Sequence, residues 1–239
     1  YFGDTARVPY GSKTPDQLKG FAKEILEFLI TRRVKFVILA CNTSSSISLD
    51  YVRKLFTIPM IGVVQPGADE AVRVTLNRKI GVIATGATVK SRAYESAIER
   101  ASKKCNKRIR QVYSMATPEL VPLVESGQWD GEKTIGILKE YLQPFEEEGI
   151  DTLVLGCTHY PFLLEAIQSI IKPGIKIVDP AKLTVQQTCK EMLRLGILNN
   201  SGAVPVHEYW VSGDTQTFKS GAEKFLGIGL PSVNWVDLK

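Results

Sequence analysis

The chain has 239 residues, 44% of them apolar, which is enough for one large domain or for two smaller ones with their own cores. Its net charge of +5 comes from 30 basic and 25 acidic side chains spread along the chain instead of gathered in a stripe, which argues against a nucleic-acid partner. No apolar run approaches the roughly 20 residues that span a bilayer, and no secretory signal precedes the first element, so the sequence reads as soluble and cytoplasmic, with no membrane partner.

Residues 1–11 (YFGDTARVPYG) begin with strand-like residues. Thr14-Pro15-Asp16 predicts a helix start, with Thr14 as cap and Pro15 at the first helical position. Leu18, Phe21, Ile25 and Leu29 continue at helical spacing to about Arg33. A strand is expected over 36–40, a helix over 46–56, a short buried strand over 58–64, and a turn at Gln65-Pro66-Gly67. The alternation goes on with a strand over 79–84, one helix over 89–105 and a strand over 108–115. Thr117-Pro118-Glu119 repeats the cap-and-proline signal, and another helix lies within 129–149. Strands at 153–155 and 176–178 alternate with helices at 162–171 and 185–195. NNSGAVP at 199–205 reads as a loop or hinge, before a strand at 208–211, a turn at 212–214, a helix at 217–225 and a last strand near 233–236. Strands separated by helices of this length imply right-handed crossovers and an α/β fold of parallel sheets covered on both faces.

The chemistry concentrates at two strand ends. VKFVILACNTSSS at 34–46 is an apolar run that stops at Cys41 and continues into hydroxyl and amide side chains, and DTLVLGCTHYP at 151–161 repeats the pattern with Cys157. In open parallel sheets, strand ends and helix N-termini meet at the ligand crevice. A thiol there feels the positive end of a helix, which favours thiolate. Most free cysteines are buried core residues, and Cys105 and Cys189 keep that reading. Cys41 and Cys157 differ because Asn42-Thr43 and Thr158-His159 follow them, side chains suited to holding a ligand. Two thiols on opposite sides of a cleft match the needs of inverting a carbon centre, with a base on one face and an acid on the other. With no CxxC pair and only two histidines, neither a disulfide framework nor a structural zinc site is expected.

Seven segments then carry a resemblance: GDTARVPYG at 3–11, ACNTSS at 40–45, GVVQPGA at 62–68, ATGATVKSRAY at 84–94, PLVESG at 122–127, LGCTHYP at 155–161 and VSGD at 211–214. Together, and in this order, they resemble the cofactor-independent glutamate racemases. The resemblance implies two similar doubly wound α/β lobes with the site between them, residues 1–66 with 180–239 forming one lobe and 67–179 the other. It implies Cys41 and Cys157 as the catalytic thiols, Cys41 acting on D-glutamate and Cys157 on L-glutamate. Tyr10, Gly11, Asn42, Thr43, Thr88, Thr158 and His159 match substrate-contacting positions, while Asp4, Glu125 and His159 match groups that tune the thiols. No pyridoxal phosphate or metal is implied. Glutamate is the implied substrate and partner, the homodimer the implied assembly, and D-glutamate supply for peptidoglycan synthesis the implied role.

Asp4 and Glu125 also fit an ordinary turn carboxylate and a helix-surface carboxylate, Thr88 a helix cap, and Tyr10 loop packing. The family pattern starts with a strand and a Gly-rich loop carrying an Asp-Ser pair, ahead of the first residue here. A first lobe lacking that strand is expected to be crippled or misfolded. Asp179-Pro180-Ala181 stands where Asp-Ser-Ala is more usual, a proline that stiffens the lobe crossing. The alternatives are an aspartate racemase or related isomerase, a cysteine hydrolase pairing Cys157 with His159 or His207, and an amino-acid-binding module. Aspartate racemases tend to carry an acidic residue where His159 stands.

Overall fold

The computed structural model describes residues 1–227 and 229–238. The chain opens with β1 (Phe2–Gly3) and a 3-10 turn (Tyr10–Ser12), then α1 (Pro15–Thr31), β2 (Val37–Leu39), α2 (Asn42–Leu55), β3 (Met60–Gly62) and α3 (Val64–Val74). It continues through β4 (Lys79–Ala84), α4 (Gly86–Ser91), α5 (Ala93–Lys104), β5 (Gln111–Ala116), α6 (Leu120–Ser126), α7 (Glu132–Glu147) and β6 (Thr152–Gly156). A 3-10 turn (Tyr160–Leu163) leads to α8 (Leu164–Ile170), β7 (Lys176–Val178), α9 (Pro180–Arg194), β8 (Trp210–Val211), α10 (Thr215–Leu226) and β9 (Asn234–Trp235). The expected alternation of strand and helix is therefore present.

Among the described residues every strand pairing is parallel, and the strands form a four-stranded sheet in the order β5-β4-β6-β7, a three-stranded sheet β1-β8-β9 and a pair β2-β3. The inner strands of the four-stranded sheet, β4 and β6, are buried along nearly their whole length, as their unbroken apolar runs require when helices cover both faces. One face packs on α6, α7 and α8 through Leu120, Leu138, Phe145 and Ile167, the other on α3 and α5 through Ala68, Val72, Ala97 and Ile98. A separate core of Leu26, Val37, Val52 and Met60 joins α1 and α2 to β2-β3. The chain leaves β4 for β5 on one side and returns to β6 on the other, so the topological switch lies where β4 and β6 end, the place at which such sheets bind ligands. Among the described residues no helix is long and apolar enough to cross a membrane.

Several boundaries differ from the sequence reading: α6 begins at Leu120 after Glu119 and is not capped by Thr117, and four others have a local reason. The helix α2 begins at Asn42, not near residue 46, because Asn42, Thr43, Ser45 and Ser48 are buried and packed despite their polarity. Gln65-Pro66-Gly67 is the first turn of α3 and not a loop; Pro66 sits where a missing N–H costs nothing, and a Cβ at Gly67 would come within 2.9 Å of Pro180. The helix expected over 89–105 is two helices, broken at Arg92 with φ 54°, where the Ser91 hydroxyl donates to the Thr88 carbonyl and accepts from the Ala93 amide. Helix α9 starts at Pro180, capped by the Asp179 carboxylate accepting from the Ala181 amide at 2.9 Å. The first helix follows its signals, with a Thr14–Gln17 capping box and Pro15 at its start.

Gly156, the last residue of β6, has no room for a side chain: a Cβ would lie 2.8 Å from the Ile83 carbonyl oxygen and 2.9 Å from Ala84 Cβ. Gly156→Ala is expected to cost about 1–3 kcal/mol and to lower the thermal midpoint by several degrees. Gly20→Ala in α1, where nothing stands within 4 Å, is expected to raise it through a gain of about 0.5–1 kcal/mol. Thermal unfolding of the two variants followed by circular dichroism checks both signs.

Candidate active site

The residues singled out from sequence stand mostly at the carboxyl ends of parallel strands. Cys41 is the N-cap residue of α2, extended at φ −78° and ψ 129°, with Asn42 and Thr43 opening the helix. Burial pushes the thiol above its ordinary value, while the backbone amides of Ser44 and Thr43 and the Thr43 hydroxyl pull the other way. Cys157 follows β6 and is 7% exposed. Burial lifts it to about 12; the amides of His159 and Thr158 pull the other way, and charge on neighbouring Cys41 adds to the rise. The helix start therefore does not win at either thiol, contrary to the expectation of a lowered pKa, because removing a thiolate from water outweighs the few amides that face it.

The two rims meet through hydroxyls. Thr43 Oγ1 lies 2.9 Å from Thr85 Oγ1 and 3.3 Å from Thr88 Oγ1, and Thr85 and Thr88 are 3.0 Å apart. Thr88 is not a helix cap: Thr85 caps α4, and Thr88 is buried in its first turn. Beside this triangle the fully buried Tyr94 hydroxyl donates to Asn42 Oδ1 at 2.7 Å. Gly11 approaches the same place, since a Cβ there would be 4.0 Å from Thr85 Cβ. Thr85 and Tyr94 escaped residue-by-residue reading, although the TGAT spacing of a helix cap, at 85–88, marked the first of them.

On the Cys157 side a line of three groups is already assembled. Cys157 Sγ is 3.6 Å from His159 Nδ1, and His159 Nε2 is 3.3 Å from Glu125 Oε1. With Nε2–H donating to the carboxylate, the lone pair of Nδ1 faces the thiol. Thr158 stands exposed on the rim. Asp4 is differently employed: its carboxylate accepts from Arg7 at 2.8 Å, from Ser212 at 2.8 Å and from the Tyr10 hydroxyl. Those bonds tie down the loop after β1, and the ring of Tyr10 packs against Phe21 at 6.0 Å between centroids. Burial and the Asp4 carboxylate push the Tyr10 hydroxyl well above its ordinary value, which keeps it a donor.

Residues outside this constellation are equally plain. Cys105 and Cys189 are exposed, not buried as free cysteines usually are, because one ends α5 and the other lies on the outer face of α9. His207 is exposed and neighbours Tyr209, with ring centroids 6.5 Å apart.

The family model of the Asp/Glu/Hydantoin racemases matches residues 1–188. A glutamate racemase of Desulforudis audaxviator is 47% identical over 95% of this chain and 84% of its own length, and one from a Picosynechococcus species is 44% identical over 100% and 82%. Among solved structures, a glutamate racemase isoform of Bacillus anthracis superposes with a TM-score of 0.92 at 35% identity, covering 100% of this chain and 87% of that one. The glutamate racemase of Francisella tularensis in complex with D-glutamate gives 0.90 at 34% identity, with the same coverage. An aspartate racemase homologue from Pyrococcus horikoshii, 19% identical with a TM-score of 0.52 over 72% of this chain and 73% of its own, shares the fold alone. Sequence and structure meet across both lobes and both cysteine rims, and the chain belongs to the Asp/Glu/Hydantoin racemase family, among its glutamate racemases.

Proposed function

We propose that this chain interconverts L-glutamate and D-glutamate by proton transfer at Cα between two thiols, without pyridoxal phosphate or a metal. Cys41 takes the proton from D-glutamate and Cys157 from L-glutamate, the opposite thiol returning one to the other face. The observation that carries this reading is the pair of cysteines just beyond the carboxyl ends of the parallel strands β2 and β6, on rims joined by the Thr43–Thr85 and Asn42–Tyr94 hydrogen bonds. Relatives solved with D-glutamate (Francisella tularensis) and with L-glutamate (Escherichia coli, 26% identical) support the choice of substrate.

The same reading assigns Tyr10, Gly11, Asn42, Thr43, Thr88, Thr158 and His159 to substrate binding, with Asp4 and Glu125 supporting. Removing a Cα proton beside a carboxylate builds negative charge on the substrate, and hydroxyls and amides fixed before the reaction stabilise it without reorganising. Burial makes each thiolate scarce but also a stronger base, as a proton acceptor for so weak an acid must be. At Cys157 the His159 ring, steadied by Glu125, takes the thiol proton and returns it. Residues 1–66 with 180–239 make up one lobe and 67–179 the other. The enzyme works in the cytoplasm as a homodimer and supplies D-glutamate for peptidoglycan synthesis.

The line Cys157–His159–Glu125 also favours a second reading, a cysteine hydrolase with nucleophile, base and orienting carboxylate in sequence. Proton NMR of L- and D-glutamate in D₂O separates the two. Racemisation is expected with loss of the Cα signal, abolished by Cys41→Ser and by Cys157→Ser alike. Activity that survives Cys41→Ser sinks the two-thiol mechanism.

The raised thiol makes a further prediction. A free thiol of pKa about 8.5 is already mostly thiolate at pH 9 and gains almost nothing above about pH 10. Cys157, at about 12, holds its proton longer, so at neutral pH it carries less thiolate, and its fraction keeps growing through pH 10. Alkylation of Cys157 by iodoacetamide, followed by peptide mass spectrometry, is expected to be slow at pH 7 and still accelerating at pH 10. A rate that has levelled off by pH 10 refutes the burial argument.

A further inference from the structure

Helix α10 lies in the C-terminal segment, and its two ends reach opposite sides of the site. Before its first residue, Ser212 donates to Asp4 at 2.8 Å and the Gly213 amide donates to Thr5 Oγ1 at 3.0 Å; within it, Phe218 stacks on Tyr1 at 5.8 Å. Its last turn meets the other rim. The Phe225 ring sits 5.9 Å from Trp129 and 5.0 Å from Phe162, which are themselves 5.3 Å apart.

Those two aromatics bracket the Glu125–His159 pair. The indole N–H of Trp129 donates to the Val124 carbonyl at 2.9 Å, at the end of the helix that carries Glu125. The Phe162 amide donates to the His159 carbonyl at 3.2 Å, one turn beyond the imidazole. Lys224 completes the clasp: its ammonium donates to the Glu125 carbonyl at 3.4 Å, where the C-terminal end of α6 favours a cation. Gly127, whose φ of 81° already favours glycine, leaves it room, since a Cβ there would stand 2.7 Å from Nζ.

Building on the racemase reading, we propose that Phe225 and Lys224 are positioning residues: α10 clasps α6 to the turn after His159 and so sets Glu125 and His159 against Cys157. A 12-residue helix, about 18 Å long, thereby ties the Asp4 loop to the Cys157 relay, so that a change in lobe spacing disturbs this relay first. The two residues touch no reacting atom; they act through Glu125 and His159.

The test uses the full chain, with Phe225→Ala, Lys224→Met, Glu125→Gln and the double variant Glu125→Gln/Phe225→Ala. Phe225→Ala is expected to lower kcat/KM on the order of 10- to 100-fold, equally in both directions because the enantiomers have equal free energy in water. The double variant is expected to be no slower than Glu125→Gln, since both changes break one relay. Phe225→Tyr and Lys224→Arg, which keep ring and charge, are expected to retain most of the rate, and Ser220→Ala on the exposed side of α10 all of it. Losses that multiply in the double variant overturn the proposal. A second readout needs no turnover: nitrogen-15 NMR of a chain with only two histidines is expected to show His159 protonated at Nε2 in the wild type and as mixed tautomers in Phe225→Ala. Unchanged tautomers in that variant overturn the clasp. A wild-type chain that exchanges no Cα proton overturns the racemase reading alone, and the clasp then stands or falls on the nitrogen spectrum.

Discussion

The hydroxyl of Thr43 is the joint on which the site depends. It belongs to the first turn of α2, one lobe's helix, and meets Thr85 and Thr88 of α4, the other's. A buried hydroxyl without a partner costs roughly 1–3 kcal/mol, so each of these three holds the others in register. The Asn42–Tyr94 bond does the same one residue earlier. Because Cys41 precedes this pair in the chain, side-chain hydrogen bonds across the rims help to set its place. Such bonds fix direction, which a seam of aliphatic contacts does poorly.

The thiols at these rims are unequally shielded, Cys41 half-buried and Cys157 buried. Burial raises both, although amides at the helix starts and the Thr43 hydroxyl favour thiolate. Desolvation and hydrogen bonding oppose each other here, and desolvation prevails. For a base that must attack a carbon acid this direction is useful, since a thiolate kept at pKa 8.5 would be more abundant and less basic.

Most of the framework was legible because the local signals and the tertiary demands agree. The Thr14 cap with Pro15, the unbroken apolar runs of β4 and β6, and the two cysteines at strand ends all stand where simple rules put them. Two of the boundaries that differ have one cause, which is that polar and small residues suit a loop by propensity and a helix by their contacts. Residues 42–45 look like a loop by propensity but open α2, and the Asn42 amide and Thr43 hydroxyl find partners at Tyr94 and Thr85. Gly67 looks like a turn residue but is in a helix, kept small by Pro180. The Glu125–His159 contact joins α6 to a turn 34 residues on, and no period in the sequence encodes such a pair. The resemblance to a family named these two residues; only coordinates place them beside each other. The same holds for Phe225, which reads as one more apolar position of an amphipathic helix until its neighbours are known.

The two sides of the site are built differently, and on the proposed chemistry this asymmetry has a bounded meaning. Cys41 is served by the amides of Thr43 and Ser44 and by a hydroxyl; Cys157 is served by an imidazole with a carboxylate behind it. L- and D-glutamate are mirror images of equal free energy, so no arrangement of the protein can favour one of them at equilibrium, and kcat/KM must be the same from either side. What the asymmetry can set is which thiol holds the proton in the unliganded enzyme, and hence how the shared kcat/KM divides into kcat and KM for each enantiomer. A side with a dedicated proton acceptor can be emptied of its proton without waiting for solvent, whereas the Cys41 side relies on fixed dipoles that change nothing in protonation count. The position of α10 gives that difference a structural handle, because one helix end braces the loop near Cys41 while the other clamps the relay at Cys157.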